Sequence, residues 1–340
     1  MTENLNQQPF ELSGRWQYRL RSVLILCWSM LYITLRRLFR GPRLPNWSWA
    51  LEASTYFLKA QSAFAFYMPN IVDGREYEDS LTFSSPAVAQ IKVESVNLPV
   101  KGHWYQPKAA AGHVTVLYLH GGGYAYYSKA HQNLIALVTL AAESRTFALD
   151  YRLIPEHPFP AQLQDAQAAY RWLLETGVAP EHLVIAGDSA GGNLTLALLL
   201  ALRDAQLPLP ALAICLAPWT DVSNPGDSMT TNASFDWVDK RMPAQWADWF
   251  CEDTTVSNPL VSPIHAGLSG LPPIYIQSGS AEILNDMICT FADHAAKQGA
   301  QVELEIWPNM THDFQAFGEI TPESKEALLR IGEVVREHVA

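Results

Sequence analysis

Ser189 stands in Gly187-Asp188-Ser189-Ala190-Gly191, a G-x-S-x-G pattern with an apolar run on either side. A serine hydroxyl is a weak nucleophile unless the chain lifts it clear of its neighbours and supplies a base. The pattern alone is weak evidence, since a chain of this length holds roughly 0.1 such matches by chance. Its surroundings say more. Leu183 to Ala186 reads as a strand and Asn193 to Arg203 as a helix, while Gly187, Ala190, Gly191 and Gly192 keep the crowded turn small. That context favours a nucleophile on a tight strand-to-helix turn over a small residue in an ordinary Gly-rich corner. The helix N-terminus would also favour negative charge developing beside Ser189, with the Ala190 amide as one donor. Gly226-Asp227-Ser228-Met229-Thr230 lacks the second glycine and the flanking strand, and is set aside.

Upstream, Tyr118-Leu119-His120-Gly121-Gly122-Gly123-Tyr124 also follows a strand. Three glycines allow backbone N–H groups to point into a cavity without Cβ interference. A phosphate cradle is the competing reading, but neither G-K-[ST] nor G-x-G-x-x-G is present. As an oxyanion loop, Gly121 and Gly122 would donate amides alongside Ala190. His120 is read as structural, holding the loop through side-chain hydrogen bonds.

On a sheet of this kind the base and its acid follow the serine in the order Ser, acid, His. His265, His294, His312 and His338 follow Ser189. His312 lies just beyond the strand-like run Val302 to Trp307, where a loop can carry an imidazole back over Ser189. His294 falls in a helical run beside Lys297 and reads as a solvated face; His338 sits in the terminal helix. The acid must leave the preceding strand, Ile274 to Gln277, and both Glu282 and Asp286 are available there. Glu282 is nearer the strand end. Asp286, one helical turn later, is the second choice and reads as a local cap.

These residues need an open α/β sheet to hold them. Ile91 to Val96 alternates as a half-exposed strand, pairing with His103 to Tyr105. Val114 to Leu119, Thr146 to Leu149, Leu183 to Ala186, Leu212 to Leu216, Ile274 to Gln277 and Val302 to Trp307 read as buried parallel strands. Helical patterns such as Gln162 to Glu175 fill most of the gaps, which is strand-helix alternation. The interval Ser223 to Pro273 breaks it. Rich in Phe235, Trp237, Met242, Trp246, Trp249 and Phe250, it reads as an insertion, either a lid or two extra packed helices.

The chain of 340 residues, 49% hydrophobic and 17% charged, has the composition of a folded globular protein. Its net charge of −11 argues against nucleic acid as a partner. The charge is uneven. Seven arginines (Arg15, Arg19, Arg21, Arg36, Arg37, Arg40, Arg43) and no acids lie between Leu12 and Leu51, leaving −18 for the rest. Four scattered cysteines without a CxxC pair suggest neither a disulfide framework nor a zinc site, and fit a reducing, cytoplasmic setting. Val23 to Leu35 is a 13-residue apolar run, shorter than the roughly 20 residues that cross a bilayer. An N-terminal helix packed over the body is the first reading, with membrane-surface association the second and a true anchor the third. Gly41-Pro42-Arg43-Leu44-Pro45 ends it, and a second helix follows from Trp49 to Tyr67.

Taken together, the HGGGY stretch at 120–124 and GDSAGGN at 187–193 resemble the hormone-sensitive-lipase-like (bacterial family IV) esterases of the α/β-hydrolase superfamily. Asp150-Tyr151-Arg152-Leu153-Ile154-Pro155-Glu156-His157-Pro158-Phe159-Pro160-Ala161 is similar to that family's DYRLAPEHPFPA segment. The resemblance runs from about residue 85 to the C-terminus. It implies an α/β-hydrolase fold and hydrolysis of carboxylic esters with no metal or cofactor. Ser189 would be the nucleophile, His312 the base, and Gly121, Gly122 and Ala190 the oxyanion donors. Glu282 aligns with the family's catalytic acid, as in the subset that uses Glu. It further implies that residues 1–85 contribute helices to a cap, and that 86–340 form a catalytic domain with a cap insertion at about 223–260. Expected partners are a small ester, a second copy in a homodimer, and a membrane surface touched by the basic N-terminal helix. Lactone hydrolysis is the neighbouring alternative. A non-catalytic small-molecule receptor on the same fold is the alternative of a different class.

Overall fold

The computed structural model describes residues 2–3, 10–109 and 112–339. Two-residue β1 (Thr2–Glu3) and β2 (Phe10–Leu12) precede three helices, α1 (Trp16–Arg40), α2 (Trp49–Phe66) and α3 (Ile71–Glu78). Strand β3 (Leu81–Phe83) pairs with β2 in a small antiparallel ribbon. The rest is the expected alternation. It runs β4 (Ile91–Val96), β5 (Gly102–Pro107), β6 (Thr115–Leu119), α4 (Lys129–Ala141), β7 (Arg145–Leu149) and α5 (Ala161–Glu175). Next come β8 (Leu183–Asp188), α6 (Ser189–Asp204) and β9 (Leu212–Leu216), then the insertion with α7 (Ser228–Thr231) and α8 (Arg241–Phe250). The chain closes with β10 (Ile274–Gly279), α9 (Asn285–Lys297), β11 (Val302–Trp307) and α10 (Pro322–His338).

Among the described residues one nine-stranded sheet has the order β1-β4-β5-β7-β6-β8-β9-β10-β11. Pairs from β7 through β11 are parallel, and those among β1, β4, β5 and β7 antiparallel. Strands β6, β8 and β9 are buried at every position, because helices cover both faces and continuous apolar runs satisfy both. This is the α/β-hydrolase fold the sequence implied. The strands fall where the apolar runs lie, and β8 reaches two residues further, to Asp188, delivering Ser189 at the sheet's carboxyl edge.

The N-terminal helix differs from its expected length. The apolar run spans 13 residues, but α1 spans 25 and is long and apolar enough to cross a membrane. Arginine and glutamine are good helix formers, so the helix continues past the arginines that bound the apolar run. Only Ser22, Ser29 and Ile33 of α1 are buried. Helix α2 lies beneath it and touches the insertion: Lys59 Nζ donates to the carbonyls of Ala233 and Asp236, and Phe66 meets Trp246 edge-on.

Candidate active site

Ser189 opens α6 directly from β8 with φ of 52°, a left-handed conformation that costs a non-glycine residue energy. The turn closes only because its neighbours are small. A Cβ on Gly191 would lie 1.9 Å from the carbonyl oxygen of Leu119, and one on Gly187 would lie 2.3 Å from that of Gly191. The strain holds the Ser189 side chain at the mouth of β8 and the Ala190 amide in the first turn of α6, where no intrahelical partner exists.

The glycine loop packs against this turn. His120 is fully buried, stacked between Tyr127 and Tyr151 at centroid distances of 3.9 and 4.1 Å, with Nδ1 2.8 Å from the Gly121 carbonyl. Tyr151 Oη donates to the His120 carbonyl at 2.5 Å, so the D-Y-R-L segment braces the loop from behind. The Gly121 amide meets the carboxylate of Asp188, whose other oxygen accepts from Tyr118 Oη at 2.8 Å. Gly122 and Gly123, with φ of 92° and 60°, carry the loop's remaining amides. Sequence reasoning singled out Gly121 and Gly122. It had no signal for Asp188 taking the Gly121 amide, nor for Gly123 turning beside them under the Trp246 ring.

His312 and Glu282 come together from the loops after β11 and β10. The Nδ1 of His312 lies 3.2 Å from Glu282 Oε2, and both residues are buried. Ser278 Oγ donates to the other Glu282 oxygen at 2.5 Å and itself accepts from Asn285 Nδ2 at 3.0 Å. Asp286 lies elsewhere. Its carboxylate accepts from the Ser228 amide at 2.8 Å, fastening α9 to α7, and it makes no contact with His312. The discarded Ser228 thus serves as that acid's partner. His294, read as solvated, is half-buried and bonds Gln298 through Nε2 at 2.6 Å.

Two further acids surround His312, and sequence reasoning found neither. Asp236, from the insertion, is fully buried and accepts three backbone amides: Trp237 at 2.7 Å, Ile283 at 2.8 Å and His312 at 3.2 Å. The Trp237 indole donates to the His312 carbonyl at 2.7 Å. Asp313 has φ of 48° and places Oδ2 3.3 Å from His312 Nε2, the nitrogen that would face Ser189. Nε2 makes no hydrogen bond to Ser189 among the described residues. Catalytic hydrogen bonds are often long in a free enzyme and tighten around substrate.

Burial alone would lower the His312 pKa; the carboxylates of Asp313, Glu282 and Asp236 outweigh it and lift the imidazole to about 10. Burial pushes the Glu282 and Asp236 carboxyls upward, against the pull of His312. It drives Asp313 well above the usual carboxylate range. Among the described residues no group of three or more His, Cys, Asp or Glu side chains is placed to hold a metal ion.

A hydrolase of the α/β class is what this fold defines. Residues 116–316 match the family described as alpha/beta hydrolase fold. An acetyl-hydrolase of Streptomyces hygroscopicus is 42% identical over 238 residues, covering 68% of this chain and 78% of its own. A crystal structure of an esterase from the bacterial hormone-sensitive lipase family superposes with TM-score 0.72 at 33% identity, over 96% of this chain and 100% of that one. The esterase EstE5 soaked with p-nitrophenyl butyrate gives TM-score 0.73 at 33% identity, covering 92% and 98%. The chain belongs to the alpha/beta hydrolase family and, within it, to the hormone-sensitive-lipase-like esterases. It is a carboxylesterase.

Proposed function

We propose that Ser189, His312 and Glu282 form the catalytic triad of this esterase and act on short-to-medium acyl esters. The observation that supports this most is the Glu282–His312 contact of 3.2 Å, held on loops beside the strained Ser189 turn. Ser189 Oγ attacks the ester carbonyl while its proton passes to His312 Nε2, which turns from Asp313 toward the serine. Glu282 fixes the Nδ1 proton and stabilises the imidazolium. The amides of Ala190 and Gly122 serve as oxyanion donors in this reading, with that of Gly123 in place of the expected Gly121, whose amide is turned to Asp188. The tetrahedral intermediate collapses as the alcohol leaves with the proton from His312. Water, deprotonated by His312, then cleaves the acyl-enzyme and releases the acid.

Residues 1–85 and the insertion act as a cap in this reading. Trp246 abuts the glycine loop, and Phe66 and Tyr126 pack against it, so the acyl group meets aromatic surface. Apolar acyl chains follow from that lining, and lactones fit the same chemistry. In this reading the protein is cytoplasmic, takes no nucleic-acid partner, pairs as a homodimer, and touches a membrane surface through its basic N-terminal helix. Turnover of p-nitrophenyl butyrate and hexanoate tests the function. Ser189→Ala should retain the fold and abolish nearly all hydrolysis; activity that persisted would overturn the mechanism, and no turnover by the native protein would leave only a receptor.

A further inference from the structure

Helix α1 keeps its broadest apolar face outward, unlike an ordinary helix on the surface of a globular domain. The side facing the body mixes the buried Ile33 and half-buried Tyr18 and Ile25 with polar groups. Ser22 Oγ bonds Gln61 at 3.0 Å and Ser80 at 2.7 Å. Arg36 and Arg37 each give Nη1 to one oxygen of the buried Glu52, at 2.8 and 2.7 Å. At its start Arg15 pairs with Glu76 and Asp73 on α3. The outward side is apolar. Trp16, Leu20, Leu24, Trp28, Leu31, Leu35 and Leu38 recur at intervals of three and four, and all are exposed, Leu24 to 59% and Leu38 to 73%. Such spacing covers an arc of roughly 120° on one face. Phe39 extends the arc, and so does Trp49, whose indole donates to Thr34 Oγ1 at 2.9 Å. Burial in water-facing protein would predict the reverse arrangement.

The charge around this stripe selects its partner. Arg19, Arg21 and Arg40 are exposed and form no ion pair among the described residues; Arg21 lies over the Phe64 ring on the flank. No acid lies between Leu12 and Leu51, whereas the rest of the chain is strongly negative. An anionic surface would therefore favour this basic face over the acidic remainder of the molecule. Exposed tryptophans and arginine stems flanking a leucine stripe suit the boundary between headgroups and acyl chains.

We infer that α1 docks the protein on anionic bilayers, lying in the plane of the membrane with its leucine-tryptophan stripe inserted. The helix stays attached to the body through Ser22, Arg36 and Arg37. This is independent of the catalytic assignment, because none of the residues concerned touches the triad.

The test is flotation of the full-length protein with phosphatidylcholine vesicles, with and without about one-third phosphatidylglycerol. The native protein should float with the anionic vesicles and partition at least about tenfold less onto neutral ones. Leu24→Asp combined with Leu31→Asp should reduce partition at least about tenfold, since both side chains leave the acyl boundary. Arg19→Glu with Arg40→Glu should do so on anionic vesicles alone. Both variants should hydrolyse p-nitrophenyl butyrate in solution at the native rate, which certifies their folding separately from membrane binding. Three results would overturn the inference. The first is no vesicle binding, or binding that the aspartate pair leaves unchanged. The second is a lipid-free dimer that the aspartate pair dissociates, which would assign the stripe to a second copy. The third is resistance to alkaline carbonate extraction, which would mean that α1 spans the bilayer.

Discussion

Glu282 and Asp286 are carboxylates one helical turn apart, and the fold uses them for different things. Glu282 reaches His312, while Asp286 closes the junction of α7 and α9. Glu282→Ala should lower kcat/KM by about a thousandfold or more, as loss of the orienting acid does in other triads. Asp286→Ala should leave the rate within a few fold and cost about 1 kcal/mol of stability, the usual worth of a lost cap; steady-state kinetics and thermal melting of the two proteins separate these outcomes. Asp313 gives a pH signature. In the proposed triad His312 must be neutral to accept the serine proton, and its pKa is lifted to about 10 by carboxylates that include Asp313. The rate should therefore keep rising with pH into the alkaline range. Asp313→Asn removes one of those carboxylates, so the rising limb of the kcat/KM profile should move to lower pH. An unmoved limb would show that Asp313 does not govern the base.

At the level of elements, the central strands were legible because β6, β8, β9 and β10 are continuous apolar runs buried on both faces. In contrast β11, read as buried, is an edge strand alternating with Glu303 and Glu305 and has no buried position. The three motif-bearing loops follow from where the strands stop. Glu282 and His312 could be placed by their distance from a strand end. Asp236 could not. It lies in an insertion without periodicity, and its partners are 47 and 76 residues away, so no local pattern marks it. Asp236→Ala would strand three buried amides. At about 1–3 kcal/mol for each unsatisfied group, the protein should lose several kcal/mol of stability in denaturant titration. Its activity should fall as well, because the loops of the acid and the base lose a shared anchor. The direction faced by α1 was illegible for a different reason. Periodicity shows that a helix has two faces, but not which of them the body takes.

Across the whole molecule, the N-terminal helices are not an appendage that can be removed freely. Glu52 is 1% exposed and is paired with Arg36 and Arg37 from α1. Replacing both arginines with glutamine should destabilise the protein by about 3–5 kcal/mol, the penalty of a buried charge left without its partners, and this is measurable by calorimetry. Restoring one arginine should recover much of that loss.

The three amides gathered by Asp236 also dictate how the insertion can move. One end of it is riveted to the backbone of both the acid's loop and the base's loop, and Lys59 clamps the same corner from α2. An insertion fastened there cannot lift as a whole without breaking its bonds to the Glu282 and His312 loops. Its other end is held as well: Phe250 of α8 stacks on Tyr124 at 4.2 Å, and its carbonyl accepts from the Phe159 amide at 3.0 Å. Insertion and loops therefore make one packed body, and in the proposed site Trp246 stands beside Gly123 as a fixed wall, so ester selection there would follow the shape of that wall and not a moving gate.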